Sequence, residues 1–179
     1  MQALQFLINT VFNLFLMVVI LRFWLQLARA DFYNPFSQFV VKATNPIVLP
    51  LRRLIPSIGS IDTATVLLAY LVALVKLLLI QFILIKAVAL PHSFFWAGIV
   101  VVKEAFSLLF WILVIRALLS WFSQGNNPIE QVMHQLTEPL LRPIRRILPP
   151  MGGLDLSVLV VLIGLQFLNI LLSEWFRGF

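Results

Sequence analysis

The sequence contains no cysteine. Disulfides, thiolate metal sites and cysteine nucleophiles are therefore excluded, and cysteine usage carries no message about redox compartment. Charge is scarce. Only 11% of the 179 residues carry it, against about 25% in an average soluble domain. The two histidines are His92 and His134, and neither is read as having a partner at metal-ligand spacing. Serines occur without a His–Asp partner set, and no glycine-rich phosphate loop appears. No catalytic, cofactor or metal site is expected, and enzyme chemistry has no visible seat. An aromatic–basic RNA motif is missing as well, so the excess of thirteen Lys/Arg over seven Asp/Glu is not read as a nucleic-acid footprint.

What remains is apolar. Hydrophobic residues make up 61% of the chain, and the mean hydropathy is +1.02. More than half of any folded surface stays in contact with solvent, so a soluble fold cannot hide this much. The fold class is an all-α membrane protein. Crossing the bilayer core takes about 20 mostly apolar residues, and four stretches qualify: Leu4 to Leu27, Ala64 to Ile85, Phe95 to Leu119 and Leu156 to Trp175. Trp24, Trp96, Trp121 and Trp175 fall near span ends, where amphipathic rings favour headgroup depth. Trp111 does not, and is expected to pack in the bundle or face lipid. The opening MQALQF has no basic residue ahead of its apolar run. It is not read as a signal peptide, and the first span is expected to be retained.

The chain repeats itself. Residues 34–62, NPFSQFVVKATNPIVLPLRRLIPSIGSID, align without a gap with residues 127–155, NPIEQVMHQLTEPLLRPIRRILPPMGGLD. Eleven of 29 positions are identical, where average residue usage gives about 6% per position by chance. Two tandem copies follow, residues 1–90 and 91–179, each of span, basic loop and span. An even number of spans per copy gives both the same orientation. That predicts a pseudo-two-fold axis along the membrane normal.

Within each loop, Asn34-Pro35 and Asn127-Pro128 read as helix starts, since Asn caps well and Pro fits the first turn. Phe36, Phe39, Val40 and Ala43 share one helix face, as do Ile129, Val132, Met133 and Leu136. A short helix on the membrane surface is the economical reading. Pro46 and Pro139 are expected to restart the chain, Pro50 and Pro143 to kink or split the second helix, and Pro56 and Pro149 to end it. Gly59 and Gly152 allow a turn before Asp62 and Asp155, which read as N-caps of the next spans. These segments are expected to be too short and broken to cross the bilayer.

Lys42, Arg52, Arg53, Arg142, Arg145 and Arg146 are the candidate lipid- or partner-binding residues of the loops. They read as anchors for anionic headgroups, or as a site for a specific partner. With Arg29, and with Arg22 and Arg116 at the borders, the loops hold most of the basic residues. The opposite side has Lys86 and Arg177. The bias places both loops in the cytoplasm and both termini outside.

Lys76, Lys103 and Glu104 lie within spans, where a central lysine costs about 2.5–3.5 kcal/mol. A tight turn around Leu90 to Ser93 brings Lys76 to the depth of residues 104 to 108. Lys76 and Glu104 are expected to approach each other, directly or through water. Lys103 points elsewhere and snorkels outward. Asn169 is the repeat counterpart of Lys76, and Asn9, Thr10, Asn13, Gln81 and Gln166 add further polarity. The layer reads as hydrogen-bonded glue between helices or as a hydrated site for a cation or proton.

DFYNPFSQFVVK, PLRRLIP and LLRPIRRILPPMGGLD resemble the YGGT repeat of the YggT family, and the resemblance covers essentially the whole chain. It implies a multi-pass protein of the bacterial inner membrane, linked to osmotic tolerance and to potassium or ion homeostasis. YlmG-like relatives, often with one repeat, are linked to cell or plastid division and cytochrome assembly. Single-repeat relatives imply that one repeat pairs with another copy. Taken together, the readings favour a non-enzymatic membrane adaptor or assembly factor acting through its basic loops. Its partners are anionic lipids and another membrane protein or a second copy. A direct ion channel, transporter or channel modulator, a cell-division or cytochrome-assembly factor as in the YlmG-like relatives, and a lipid-binding or lipid-translocating protein stand as alternatives.

Overall fold

A computed structural model describes residues 2–59, 61–86, 89–122, 127–148 and 155–176. Six helices account for almost all of them: α1 (Gln2–Leu27), α2 (Pro35–Leu54), α3 (Thr63–Ile85), α4 (Leu90–Phe122), α5 (Pro128–Ile147) and α6 (Leu156–Trp175). Among the described residues the sole β pairing is a bridge between Ile58 and Ile61. Gly59 sits between them at φ +61°, a left-handed conformation that glycine adopts without a Cβ penalty. Four helices are long and apolar enough to cross a membrane: Gln2–Leu27, Thr63–Leu84, Leu90–Leu119 and Leu156–Trp175. The chain is an all-α, multi-pass membrane protein.

Two compact units form. The first comprises Met1–Leu27 with Phe39–Ala105, the second Ala28–Gln38 with Phe106–Phe179. In the first unit α1 packs along α3. Leu16, Val19, Ile20, Leu21 and Leu25 of α1 are buried, as are Ala64, Leu68, Ala69, Val72 and Ala73 of α3. Lipid tails are as apolar as leucine, so close backbone approach over small residues such as these alanines is what holds membrane helices together. In the second unit α5 packs against α6, and Val132, Met133, Leu136 and Leu141 of α5 are buried.

The loop helices differ from the sequence reading in two respects. Each is one continuous helix of 20 residues. Pro46 and Pro50 lie inside α2, and Pro139 and Pro143 inside α5. None of the four restarts or splits its helix. Each proline removes the donor for the carbonyl four residues earlier. In α2 those carbonyls belong to Lys42 and Pro46, both at exposed positions, so they are not polar groups sealed inside the fold. Length therefore does not exclude α2 and α5 as spans, but neither is among the four helices long and apolar enough to cross a membrane. Pro56, two residues beyond α2, does follow the helix end. Pro149, Gly152 and Arg177, and the side chain of Trp121, lie outside the described residues.

The α3–α4 turn also lies earlier than expected. Lys86 takes a left-handed conformation at the end of α3, φ 53°, and α4 already begins at Leu90. Pro91 and His92 thus belong to the first turn of α4, where a missing N–H leaves no intrahelical bond unmade. Gln81 Oε1 closes the hairpin by accepting from Ala89 N at 3.2 Å and Ser93 Oγ at 3.1 Å. Trp111 is exposed, on the outer surface of α4 rather than packed in the core.

Candidate functional site: two arginine-locked elbows

Each loop helix starts as its Asn-Pro pair dictates. Asn34 Oδ1 accepts from Phe36 N at 2.9 Å, and Asn127 Oδ1 accepts from Ile129 N at 3.0 Å. Asn34 also donates through Nδ2 to the Pro128 carbonyl at 2.7 Å. The first Asn-Pro motif is thus hydrogen-bonded to the second.

The loop helix is then tied down twice, in the same way in each copy. The first tie uses an arginine near the end of the preceding span. Arg22 Nη1 donates to Thr44 Oγ1 at 2.6 Å, to Asn45 Oδ1 at 2.8 Å and to the Val41 carbonyl at 3.2 Å. In copy two Arg116 Nη1 donates to Thr137 Oγ1. Both threonines are fully buried. Each returns its own proton to a carbonyl one turn back, Val40 or Met133, at 2.7 Å.

The second tie uses the first arginine of each pair. Arg52 makes a two-pronged contact with Asp62, and its Nη2 reaches Gln26 Oε1 at 3.2 Å. Arg145 contacts Asp155 through Nε at 3.0 Å and Nη2 at 2.5 Å. Both aspartates stand just ahead of a span, and there they differ. Asp155 caps α6 by accepting from Ser157 N at 3.1 Å. Asp62 makes no backbone cap and accepts from Thr65 Oγ1 at 2.5 Å instead.

Burial alone would raise both carboxyl pKa values. For Asp62 the hydrogen bonds from Arg52 and Thr65 outweigh it, and for Asp155 those from Ser157 and Arg145 do. Both carboxyls end below the ordinary carboxylate range. Arg145 is shifted upward. Burial opposes its charge, but the hydrogen bond and charge of Asp155, with Glu138 behind, prevail.

These contacts divide the candidate headgroup residues. Arg52 and Arg145 turn inward and act as struts. Lys42, Arg53, Arg142 and Arg146 stay exposed and form no ion pair among the described residues. Alongside them on α2, Phe39, Ile47 and Leu54 are 64%, 41% and 79% exposed. Val40 and Val48 point inward, fully buried. The outer surface of α2 thus combines apolar side chains with free cations, as an interfacial helix requires.

Copy two adds Glu138, at the position of Asn45. Its Oε2 lies 3.0 Å from Arg145 Nη1 and 3.7 Å from Arg116 Nη2. His134 Nε2 is 3.5 Å away on the same helix face, an i, i+4 neighbour that the sequence reading passed over.

Inside the first unit Lys76 is 6% exposed. Its ammonium donates to Asn13 Oδ1 at 2.8 Å. Among the described residues no direct ion pair joins Lys76 to Glu104; the partner of the ammonium is Asn13. Lys103 and Glu104 are half-buried. Asn169, the counterpart of Lys76, lines a shallow groove on α6 with Gln166, Ile170, Ser173 and Glu174.

The fold and these elbows define a class: a multi-pass helical membrane protein built on a doubled, arginine-braced interfacial helix. The CCB3/YggT family model matches residues 1–83 and 95–176, one match per copy, and the chain belongs to that family. It is 56% identical over 99% of its length to a Vibrio alginolyticus protein named "Uncharacterized protein in proC 3'region", covering 100% of that chain. It is 47% identical to Escherichia coli K12 "Uncharacterized protein YggT", over 97% of its own length and 91% of the relative's. A shorter match, 38% identical over 31% of the chain and 22% of the relative, is to Arabidopsis thaliana "YlmG homolog protein 2, chloroplastic". No solved structure matches.

Proposed function

We propose that the protein is a non-enzymatic factor of the bacterial inner membrane that supports osmotic or potassium homeostasis as an adaptor. Its loop helices rest on the cytoplasmic leaflet and its termini are periplasmic. Lys42, Arg53, Arg142 and Arg146 engage anionic headgroups and a partner, which is another membrane protein or a second copy.

One observation carries this reading: Arg52 and Arg145 brace each elbow internally while these four cations are left outside. A braced helix holds its outer charges in fixed register, which lowers the entropy cost of docking. The test replaces Lys42, Arg53, Arg142 and Arg146 with alanine in full-length protein and leaves the braces intact. Partner recovery from native membranes and growth under osmotic stress are expected to fall at unchanged protein level. Intact recovery and growth would remove the adaptor reading.

The buried Lys76 with its Asn13 partner supports a second reading, an ion channel or modulator. A charge kept inside a bilayer span is a functional-site hypothesis by default. Potassium or proton flux in liposomes, altered by Glu104→Gln, would favour it, and flux equal to empty liposomes would dismiss it.

A further inference from the structure

Copy two closes its arginine pair with a carboxylate that copy one lacks. Arg116 and Arg145 face Glu138 and Asp155, two cations against two anions. In copy one the position of Glu138 is Asn45. Arg22 and Arg52 have only Asp62, and Asp62 pairs with Arg52. Arg22 is 5% exposed, and among the described residues it has no ion pair. Its hydrogen-bond acceptors are a carbonyl, a hydroxyl and an amide, all neutral. The Nη2 of Arg52 that meets Asp62 also reaches another amide, Gln26. Neutral dipoles satisfy N–H groups, but they leave the charge uncancelled, and an uncancelled buried charge is costly.

Copy two also shows where the missing anion belongs. Glu138 reaches both of its arginines from the rim, with 33% of its side chain exposed. That approach is open from outside. Arg52 is likewise 36% exposed, and Arg22 lies five residues before the end of α1, about 7.5 Å along the axis. Its guanidinium is therefore within reach of the headgroup layer.

We propose that copy one binds a phosphate oxyanion between Arg22 and Arg52, beside Asn45, in the place that the Glu138 carboxylate fills in copy two. Arg22 Nη1 and the Nε and Nη2 of Arg52 are already engaged, which leaves the Nε and Nη2 of Arg22 and the Nη1 of Arg52 as charged donors for a tetrahedral oxyanion. The Asn45 amide adds a neutral donor. The phosphate comes from a phospholipid headgroup or from free phosphate. The site is separate from the outer cations of the adaptor reading and does not depend on it.

The test uses full-length protein in mild detergent. Native mass spectrometry counts retained phospholipid, and delipidated protein is titrated with phosphatidylglycerol in mixed micelles and, separately, with inorganic phosphate. Asn45→Glu supplies the missing carboxylate. It is expected to lose one retained phosphate-bearing ligand per chain and to weaken binding by about tenfold or more. Glu138→Asn recreates copy one within copy two and is expected to gain one. Binding of phosphatidylglycerol without inorganic phosphate assigns the headgroup as source; equal binding of both assigns free phosphate. The proposal is overturned if wild-type protein binds neither, or if Asn45→Glu keeps the wild-type count and affinity. Should Asn45→Glu fail to fold, Glu138→Asn decides alone, and no gained ligand overturns it. Alanine at Lys42, Arg53, Arg142 and Arg146 should leave this ligand in place, which separates this site from the outer surface.

Discussion

The two elbows share a design but not a charge balance, so the same substitution should cost them differently. Asp62→Asn removes the one carboxylate available to Arg22 and Arg52. The Asp62 side chain is fully buried and also holds Thr65. Breaking a buried pair costs about 3–5 kcal/mol. Because Arg52 is partly exposed, solvent recovers some of this, which leaves on the order of 2–3 kcal/mol. Asp155→Asn removes a carboxylate whose side chain is 32% exposed. Arg145 keeps Glu138 at 3.0 Å, and the loss should be about 1 kcal/mol. For a chain of this size one kcal/mol moves Tm by about 2–4 °C. Asp62→Asn should therefore lower Tm by about 4–12 °C and Asp155→Asn by about 2–4 °C. Thermal unfolding of detergent-solubilised protein, followed by size-exclusion fluorescence, reads both. Equal shifts, or a larger one at Asp155, would refute the charge argument.

Three further outcomes follow from the same contacts. Both aspartates have depressed carboxyl pKa values, so their contribution is fully present above the unfolded value of about 3.9 and fades as pH falls through the folded value; stability should hold from pH 7 to 5 and drop below about 4, and a loss centred near pH 6 would contradict this. Asn13→Leu should destabilise the first unit more than Lys76→Met does, by about 1 kcal/mol or more, because it strands a buried ammonium while Lys76→Met removes the charge; unfolding in detergent ranks the two, and the reverse order would show that Asn13 is not the partner that matters. The chain has no cysteine, so single cysteines at Arg53 and Arg146 can be labelled without background; both should react from the cytoplasmic side, and labelling from opposite sides would break the parallel-repeat scheme.

The spans, the duplication and the two Asn caps were legible because each is a local property. Apolar length, identity at a fixed offset and an Asn-Pro dipeptide need no tertiary information. The continuity of α2 and α5 was not legible. Proline spacing argues for breaks, but the carbonyls that Pro46 and Pro50 leave without a donor sit at exposed positions, and the contacts that hold α2, such as Thr44 with Arg22 22 residues away, are tertiary. The division of labour within Arg52-Arg53 was hidden for a related reason. Adjacent arginines look alike until the chain turns at Gly59 and brings Asp62 back to one of them. A signal did exist: in both copies an aspartate follows the first arginine by ten residues. That interval fits no helical period, so a search for helical faces passes over it.

The duplicated elbow also explains why the basic residues are not interchangeable. Coulomb attraction to a leaflet needs cations that are free, and a rigid elbow needs cations that are spent on carboxylates. Paired arginines meet both needs when one of each pair turns inward. Substituting the inner member should therefore act through stability, and substituting the outer member through surface binding at unchanged stability. Copy two can balance its inner arginines with its own Glu138, whereas copy one, with Asn45, leaves Arg22 dependent on dipoles. The two halves of one duplicated motif thus divide into a self-contained brace and a brace left one negative charge short.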